Sequence, residues 1–234
     1  MAHDPVEQAA AFAELGRIKL GETDLNGVLD RVADLARRTL PGADQVSITL
    51  IRDGAACTPA HTGETALQLD EFQYEQDSGP SLEAAAAKTT VHVPEAGEDR
   101  RWNGWSERAA AAGIGSMLSV GLPIVENVSG ALNIYGRRAG AFGDDVIALA
   151  QTFVRYAAVA LANAHLYDTT ATLAQHMQAA MESRAVIEQA KGIIMGERRC
   201  SADDAFAILT KVSQDTNRKL RDVAAALVDR TQRG

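Results

Sequence analysis

The stretch "SRAVIEQAKGIIMGERRC", residues 183–200, starts as a good helix and then places Gly192 between Lys191 and the run Ile193, Ile194 and Met195. Glycine inside a helix costs about 1 kcal/mol relative to alanine. On a helix Arg184, Lys191 and Arg198 recur every seven residues and form one stripe, beside a face of Ile187, Ala190 and Ile194. In that register Gly192 admits two uses. Close packing by the helices that follow is the first expectation, and the approach of a phosphate to the helix surface is the second.

Two short helices should follow. Ser201 with Asp204 resembles a capping box and opens "ADDAFAILTKVSQ", whose apolar face is Ala205, Ile208, Leu209 and Val212. Asn217 is a fitting N-cap for "RKLRDVAAALVDR", with Leu220, Val223, Ala224 and Leu227 turned inward. Arg218, Lys219 and Arg221 gather at the start of this last helix, where free N–H groups favour phosphate. Ser213 and Asn217 add a hydroxyl and an amide nearby. A solvated charged face explains the same residues, so composition leaves both readings open.

Upstream, residues 144–191 hold neither glycine nor proline. One continuous helix of that length runs about 70 Å. Leu166, Leu173, Ala180 and Ile187 recur every seven, with Thr170, Met177 and Arg184 at the alternate heptad position. This pattern predicts a parallel helix pair, a homodimer seam, weakened by its Ala, Thr and Arg, with a long helix packed on its own domain as the alternative.

The front of the chain alternates helix and strand signals. Helical spacing at Ala9, Phe12, Leu15 and 18–20 is followed by "DLNGVLDRVADLARRTL", with Asp24 as N-cap and Pro41–Gly42 as stop. "QVSITLIRD" alternates Val46, Ile48 and Leu50 against Ser47 and Thr49, a half-buried strand, and Asp53–Gly54 marks a hairpin. "TALQLDEFQYEQ" is ambiguous between helix and irregular structure. A short helix in "GPSLEAAAAKTT", the strand "VHVP" and a helix closed by Gly113 come next. A second strand pair then turns at Glu126–Asn127. Helices around an antiparallel sheet make this an α+β domain.

Composition narrows the function. The 234 residues carry a net charge of −8. From Ser183 to Gly234 ten Lys/Arg face seven Asp/Glu, a surplus of +3, while the rest stands at −11. An acidic body with a mildly basic tail suggests two modules, the second able to meet an anion. The start "MAHDPVEQAA" lacks a secretory pattern, and no stretch approaches the roughly 20 uncharged apolar residues of a membrane span. A cytoplasmic protein without a membrane partner is expected. Cys57 and Cys200 form no CxxC pair, so neither a disulfide framework nor a cysteine-rich metal site is expected. His61, His92, His165 and His176 stand alone, without HExxH, HxxxH or a nucleophile motif, and no GxxxxGK[ST] cradles phosphate. No catalytic role is expected. Trp102 and Trp105 are read as packing residues, with pocket lining as the alternative.

The tail, "SRAVIEQAKGIIMGERRCSADDAFAILTKVSQDTNRKLRDVAAALV", closely resembles the ANTAR family of RNA-binding antiterminator domains. The resemblance rests on SR-x-x-I-x-QAKGI-x-M, AF-x-x-L and S-x-x-x-N-RKLRDVA in order. It implies a dimeric three-helix domain that binds paired small stem-loops in leader transcripts and prevents a terminator from forming. It further implies RNA contacts at Arg184, Lys191, Gly192, Ser213, Asn217, Arg218 and Lys219, with Arg198 added from the stripe alone. Ala205, Phe206, Leu209, Leu220 and Ala224 should be core, and a buried Phe206 leaves no aromatic for base stacking.

The front resembles a GAF domain, through "QDSGPSLEA", "VHVPE" with "DRRW", "AGIGSMLSVGLPI" and "SGALNIYGRRAGAF". That resemblance implies a six-stranded antiparallel sheet with flanking helices and a small-molecule pocket between them. The NKFDE-type sequence and the three-cysteine arrangement found in some relatives are absent, so ligand and cofactor stay unnamed. The expected organisation is a GAF-like sensor over 5–143, a linking and dimerising helix over 144–182, and an ANTAR RNA-binding domain over 183–234. Two rival functions remain: a DNA-binding regulator with a helix-turn-helix-like tail, and a small-molecule or redox sensor acting through protein contacts.

Overall fold

A computed structural model describes residues 5–18, 23–125 and 128–233. The expected helical positions 19–20 and the turn at Glu126–Asn127 lie outside them. The chain forms two compact units, 1–168 and 169–234.

In the first unit α1 (Pro5–Leu15) and α2 (Leu25–Thr39) precede the hairpin β1 (Gln45–Arg52) and β2 (Ala55–His61). Helices α3 (Glu64–Glu75) and α4 (Pro80–Ala87) follow, then β3 (Thr90–Val93) and α5 (Trp105–Ala111). Strands β4 (Ser116–Val125) and β5 (Val128–Gly136) complete a sheet of order β2-β1-β5-β4-β3, with every neighbouring pair antiparallel. Among the described residues the sheet has five strands, one fewer than expected.

Local chemistry accounts for the boundaries. The Asp24 carboxylate accepts the Gly27 N–H at 2.9 Å, capping α2, and Gly42 turns the chain at φ +83° past its end. Asp53 and Gly54 both adopt positive φ, which suits a tight hairpin. The ambiguous stretch 64–75 is helix. Its inner face is Ala66, Leu69, Asp70 and Gln73, and the two polar members dilute the apolar period that would have announced it.

One sheet face carries Val46, Ile48, Leu118, Val120, Leu132 and Ile134. They pack on Val28, Leu29, Val32 and Leu35 of α2 and on Phe153, Val154 and Leu161 of α6 (Asp144–Arg198). The other face is covered by α3, α4 and α5, with Met117, Ala131 and Tyr135 against Leu69, Ala84, Trp102 and Trp105. A Cβ on Gly121 would lie 2.7 Å from the Ala84 carbonyl oxygen, so α4 sits on β4 only because that residue is glycine. Strand β1 is therefore buried on both faces. Its Ser47 and Thr49 are enclosed by the second helical layer, which corrects the half-buried reading.

The α6 helix has 55 residues, about 80 Å at 1.5 Å per residue. Contrary to expectation it is long and apolar enough to cross a membrane by length and composition, with a mean hydropathy of 1.4 in its most apolar window. Burial of Ala150, Phe153, Val154, Ala157 and Leu161 in the first unit gives those apolar residues another role.

In the second unit the C-terminal part of α6 joins α7 (Ala202–Thr216) and α8 (Leu220–Arg233). Their small core is Ala190, Ile194, Ala205, Leu209, Val223, Ala224 and Val228. The capping box is present: Asp204 N–H donates to Ser201 Oγ, and Ser201 N–H donates to Asp204 Oδ2. Asn217 is not the N-cap of α8. It closes α7 in the left-handed region, at φ 51° and ψ 36°, and its N–H donates to the Gln214 and Ser213 carbonyls. Asparagine suits either end, since its short amide tolerates this conformation.

Candidate functional site

Two sites emerge, one in each unit. The first begins with a row of polar residues across the central strands. Ser47 pairs with Asn133 between β1 and β5, and Asn133 pairs with Ser119 between β5 and β4. All three are buried and face α3 and α4. Ser119 Oγ donates to Asn133 Oδ1 at 2.9 Å, and Asn133 Nδ2 donates to Thr49 Oγ1 at 2.9 Å and to Ser47 Oγ at 3.1 Å.

Above this row α3 inserts Asp70, Gln73 and Tyr74, neighbours on one helix face. The Asp70 carboxylate accepts from Thr58 Oγ1 at 2.9 Å, from Ser81 Oγ and Asn133 Nδ2 at 3.4 Å each, and from the Tyr135 hydroxyl. Among the described residues no cationic side chain contacts it. Burial raises its pKa from the usual 3.8 to about 6, against hydrogen bonds from Ser47, Tyr135, Thr58 and Ser81 that favour the ionised form. Burial, and then the Asp70 charge, push Tyr74 and Tyr135 well above the usual phenol value.

Tyr74 links this network to a cleft. Its hydroxyl lies 2.7 Å from Thr58 Oγ1 and 2.9 Å from Thr49 Oγ1, while the residue also lines an opening of about 680 Å³. Ile51, Ser78, Leu82, Glu83 and Trp102 line it too. Trp102 Nε1 donates to Glu83 Oε2 at 3.1 Å, which fixes the indole at the cleft wall. The Arg101 guanidinium carbon sits 4.3 Å from the centroid of the same indole and is held by Asp99. Trp102 is thus both packed edge-on against Trp105, centroids 5.9 Å apart, and part of a cleft. Aromatic and aliphatic walls with a few placed polar groups suit a small organic ligand.

Of these residues only Trp102 is considered for a pocket from the sequence alone, and Ser47 and Thr49 read there as the polar side of a half-buried strand. The available signal was three polar residues, Ser47, Ser119 and Asn133, each set between apolar neighbours in a strand.

The second site gathers the predicted basic residues. Arg218 and Lys219 form the turn between α7 and α8 and are exposed. Ser213 Oγ donates to the Arg218 carbonyl, and Arg218 Nη2 reaches the Asp222 carbonyl at 3.4 Å. The Lys219 carbonyl accepts the N–H groups of Asp222 and Val223, so Lys219 opens α8. Ser213, Asn217, Arg218 and Lys219 therefore share one turn. Arg184, Lys191, Gly192 and Arg198 are spread along α6. Arg184 and Arg198 are exposed, whereas the Lys191 side chain is only 17% exposed and meets both Glu188 oxygens at 3.0 Å.

Two expectations change here. A Cβ on Gly192 would meet nothing within 4 Å, so close helix packing does not explain the glycine; the buried small residue is Ala190. Phe206 is 44% exposed and not core. Helix α7 buries Ala205 and Leu209, and Phe206 lies about 100° round from Ala205.

A sheet with a helix-covered polar cleft is followed by a separate helical unit bearing a basic turn, and the family matches of the two units make the pair a regulator with a sensory input and an ANTAR output. The chain belongs to the GAF family: a GAF domain matches residues 22–162, and an ANTAR domain follows at 175–228. No curated protein matches the chain significantly. Similar solved folds include the GAF domain of a phosphoenolpyruvate-protein phosphotransferase from Coxiella burnetii. It has a TM-score of 0.53 and 16% identity, covering 71% of this chain and 99% of that one. The phycoerythrobilin-bound GAF domain of a cyanobacterial phytochrome gives 0.53 and 16%, covering 71% and 98%. The reduced form of fRMsr from Staphylococcus aureus gives 0.53 and 16%, covering 67% and 93%. These similarities show the fold of the first unit.

Proposed function

We propose that the protein is a cytoplasmic, ligand-responsive transcription antiterminator that works as a homodimer and catalyses no reaction. The ANTAR unit binds paired stem-loops of a leader transcript, and the GAF cleft beside Trp102 and Tyr74 takes the small molecule that controls it. The observation carrying the reading is the agreement between the ANTAR match at 175–228 and a compact helical unit whose α7–α8 turn presents Arg218, Lys219, Ser213 and Asn217 together. Hairpin loops splay their bases and expose phosphates, which suits a basic turn with amide and hydroxyl groups. A bilin occupies one similar GAF fold, which supports a ligand role for the cleft here. The dimer reading rests on the seven-residue recurrence along α6 and on its exposed Leu166, Leu173 and Met177.

A gel shift tests this. Full-length protein is titrated into a pool of double stem-loop RNAs with randomised loops, and separately into duplex DNA of equal length. Enrichment of RNA species supports the reading. Preferential retention of duplex DNA would replace it with the helix-turn-helix alternative.

A further inference from the structure

The walls of the cleft in the first unit carry one sign of charge. Among the described residues that line it, the charged ones are the carboxylates Asp77 and Glu83, with no Lys, Arg or His. Asp77 lies in the turn between α3 and α4, Glu83 in the first turn of α4, and both are exposed at the rim. Behind Tyr74 the buried Asp70 adds a third carboxylate. Arg101, the cation on the Trp102 indole, is bound to Asp99 at 2.7 Å, so the balance at the cleft stays negative.

The hydrogen-bond donors of the cleft are mostly spent. Trp102 Nε1 donates to Glu83 Oε2. A hydroxyl carries one proton, and Thr58 gives its own to Asp70. In its 2.7 Å contact with Thr58 the Tyr74 hydroxyl is therefore the donor, and at 2.9 Å from Thr49 it accepts. No phenol proton is left for a ligand. Helix α4 starts here with Pro80, which has no N–H, and the Ser81 N–H donates to Gln73 Oε1. What stays open is chiefly acceptor. Only one Glu83 oxygen takes the indole N–H, and among the described residues the Asp77 carboxylate has no hydrogen-bond or ion-pair partner.

An anion would meet carboxylates and few donors in this cleft. A metal ion would lack ligands, since among the described residues no three His, Cys, Asp or Glu side chains are placed to hold one. A volume of about 680 Å³ and the apolar walls Ile51, Leu82 and Trp102 suit an organic body instead. Carboxylates at the rim let a charged head stay partly hydrated while that body is buried.

We propose that the cleft takes a small organic cation, a protonated amine on an apolar body, with the body between Ile51, Leu82, Tyr74 and Trp102 and the ammonium at Asp77 and Glu83. The inference rests on the reading of this cleft as a ligand site and names the chemistry of its occupant.

Phenethylamine, 3-phenylpropionate and phenethyl alcohol share a phenyl ring on a two-carbon arm and differ in charge. Binding of each to the full-length protein is followed by the fluorescence of Trp102 and Trp105, the two tryptophans of the chain. The amine should bind at least tenfold more tightly than the carboxylate, with the alcohol between them. An Asp77→Asn/Glu83→Gln variant should weaken the amine at least fivefold and leave the alcohol within twofold, which shows that the cleft is intact. Asparagine suits the left-handed backbone of Asp77, at φ 47°, and glutamine still accepts the indole N–H. A Glu71→Gln/Glu75→Gln variant, neutralised on α3 outside the cleft, should change none of the three affinities. If the alcohol or the carboxylate binds as tightly as the amine, or the preference survives in Asp77→Asn/Glu83→Gln, the cation is wrong and the ligand site stands. If none of the three binds at millimolar concentration, the cleft takes no small organic molecule and both readings fall.

Discussion

The two units handle polar chemistry in opposite ways. The GAF unit encloses it: Asp70, Asn133, Ser47, Ser119 and Tyr135 are all buried, and their hydrogen bonds close on one another. The ANTAR unit displays it: Arg184, Arg198, Arg218 and Lys219 are exposed around a core of seven small and aliphatic side chains. An enclosed network needs a thick structure on both sides of a sheet. A display needs only enough core to hold three helices together. The first arrangement suits selection of one small molecule, the second a large polyanion.

That difference predicts unequal tolerance to damage, and truncating each core should give the largest effect. Leu209→Ala and Leu132→Ala remove similar side chains, each worth about 2–5 kcal/mol. In the small ANTAR unit this should melt α7 and α8 at room temperature, while the larger GAF unit stays folded with a lower Tm. Circular dichroism melts of the full chain, with limited proteolysis to locate the loss, check this. Equal tolerance in the two units would break the contrast.

The enclosed network should also impose a pH dependence. Asp70 titrates near 6 in the folded state against 3.8 ordinarily, so the native state holds its proton more tightly. The associated stability is present in full below about pH 4 and is lost as pH rises through 6. The loss is on the order of 3 kcal/mol. Urea unfolding of the first unit at pH 4.5 and pH 7.5 should reveal that decline, and Asp70→Asn should flatten it. An unchanged slope in the variant would show that Asp70 is not the group responsible.

Smaller effects sharpen the second unit. Ser201→Ala removes the capping box and should cost about 1 kcal/mol, read as an earlier melt of that unit. Gly192→Ala should instead stabilise α6 by up to about 1 kcal/mol, since the added methyl has open space. If Gly192 serves the approach of a phosphate, the same variant should bind RNA more weakly. Unaltered RNA binding with a raised Tm would leave the glycine without a role at the interface.

Legibility in the sequence divides along the same line. The caps at Asp24 and Ser201, the hairpin at Asp53–Gly54 and the glycine-free run into α6 were readable, because each depends on neighbours a few residues away. Ser47 and Thr49 read as the solvent side of a strand, since alternation cannot distinguish water from a covering polar helix. Asp70 was lost for the complementary reason: a buried carboxylate interrupts the apolar period of α3. Phe206 was placed in the core by a motif although its helix face turns it outward. Asn217 satisfied both ends of a helix equally well on paper. The basic residues of the candidate RNA interface were legible through family motifs and, for Arg198, through the seven-residue stripe, whereas the placing of Asn217, Arg218 and Lys219 in the turn between α7 and α8 needed the fold.

The most direct measurement is RNA affinity across salt for the full-length protein beside an Arg218→Ala/Lys219→Ala variant. Wild-type binding that weakens steeply with salt, together with an affinity at least tenfold lower and a shallower salt slope in the variant, is the predicted result. Equal affinity and equal slope in the two proteins would contradict a basic turn that reads RNA.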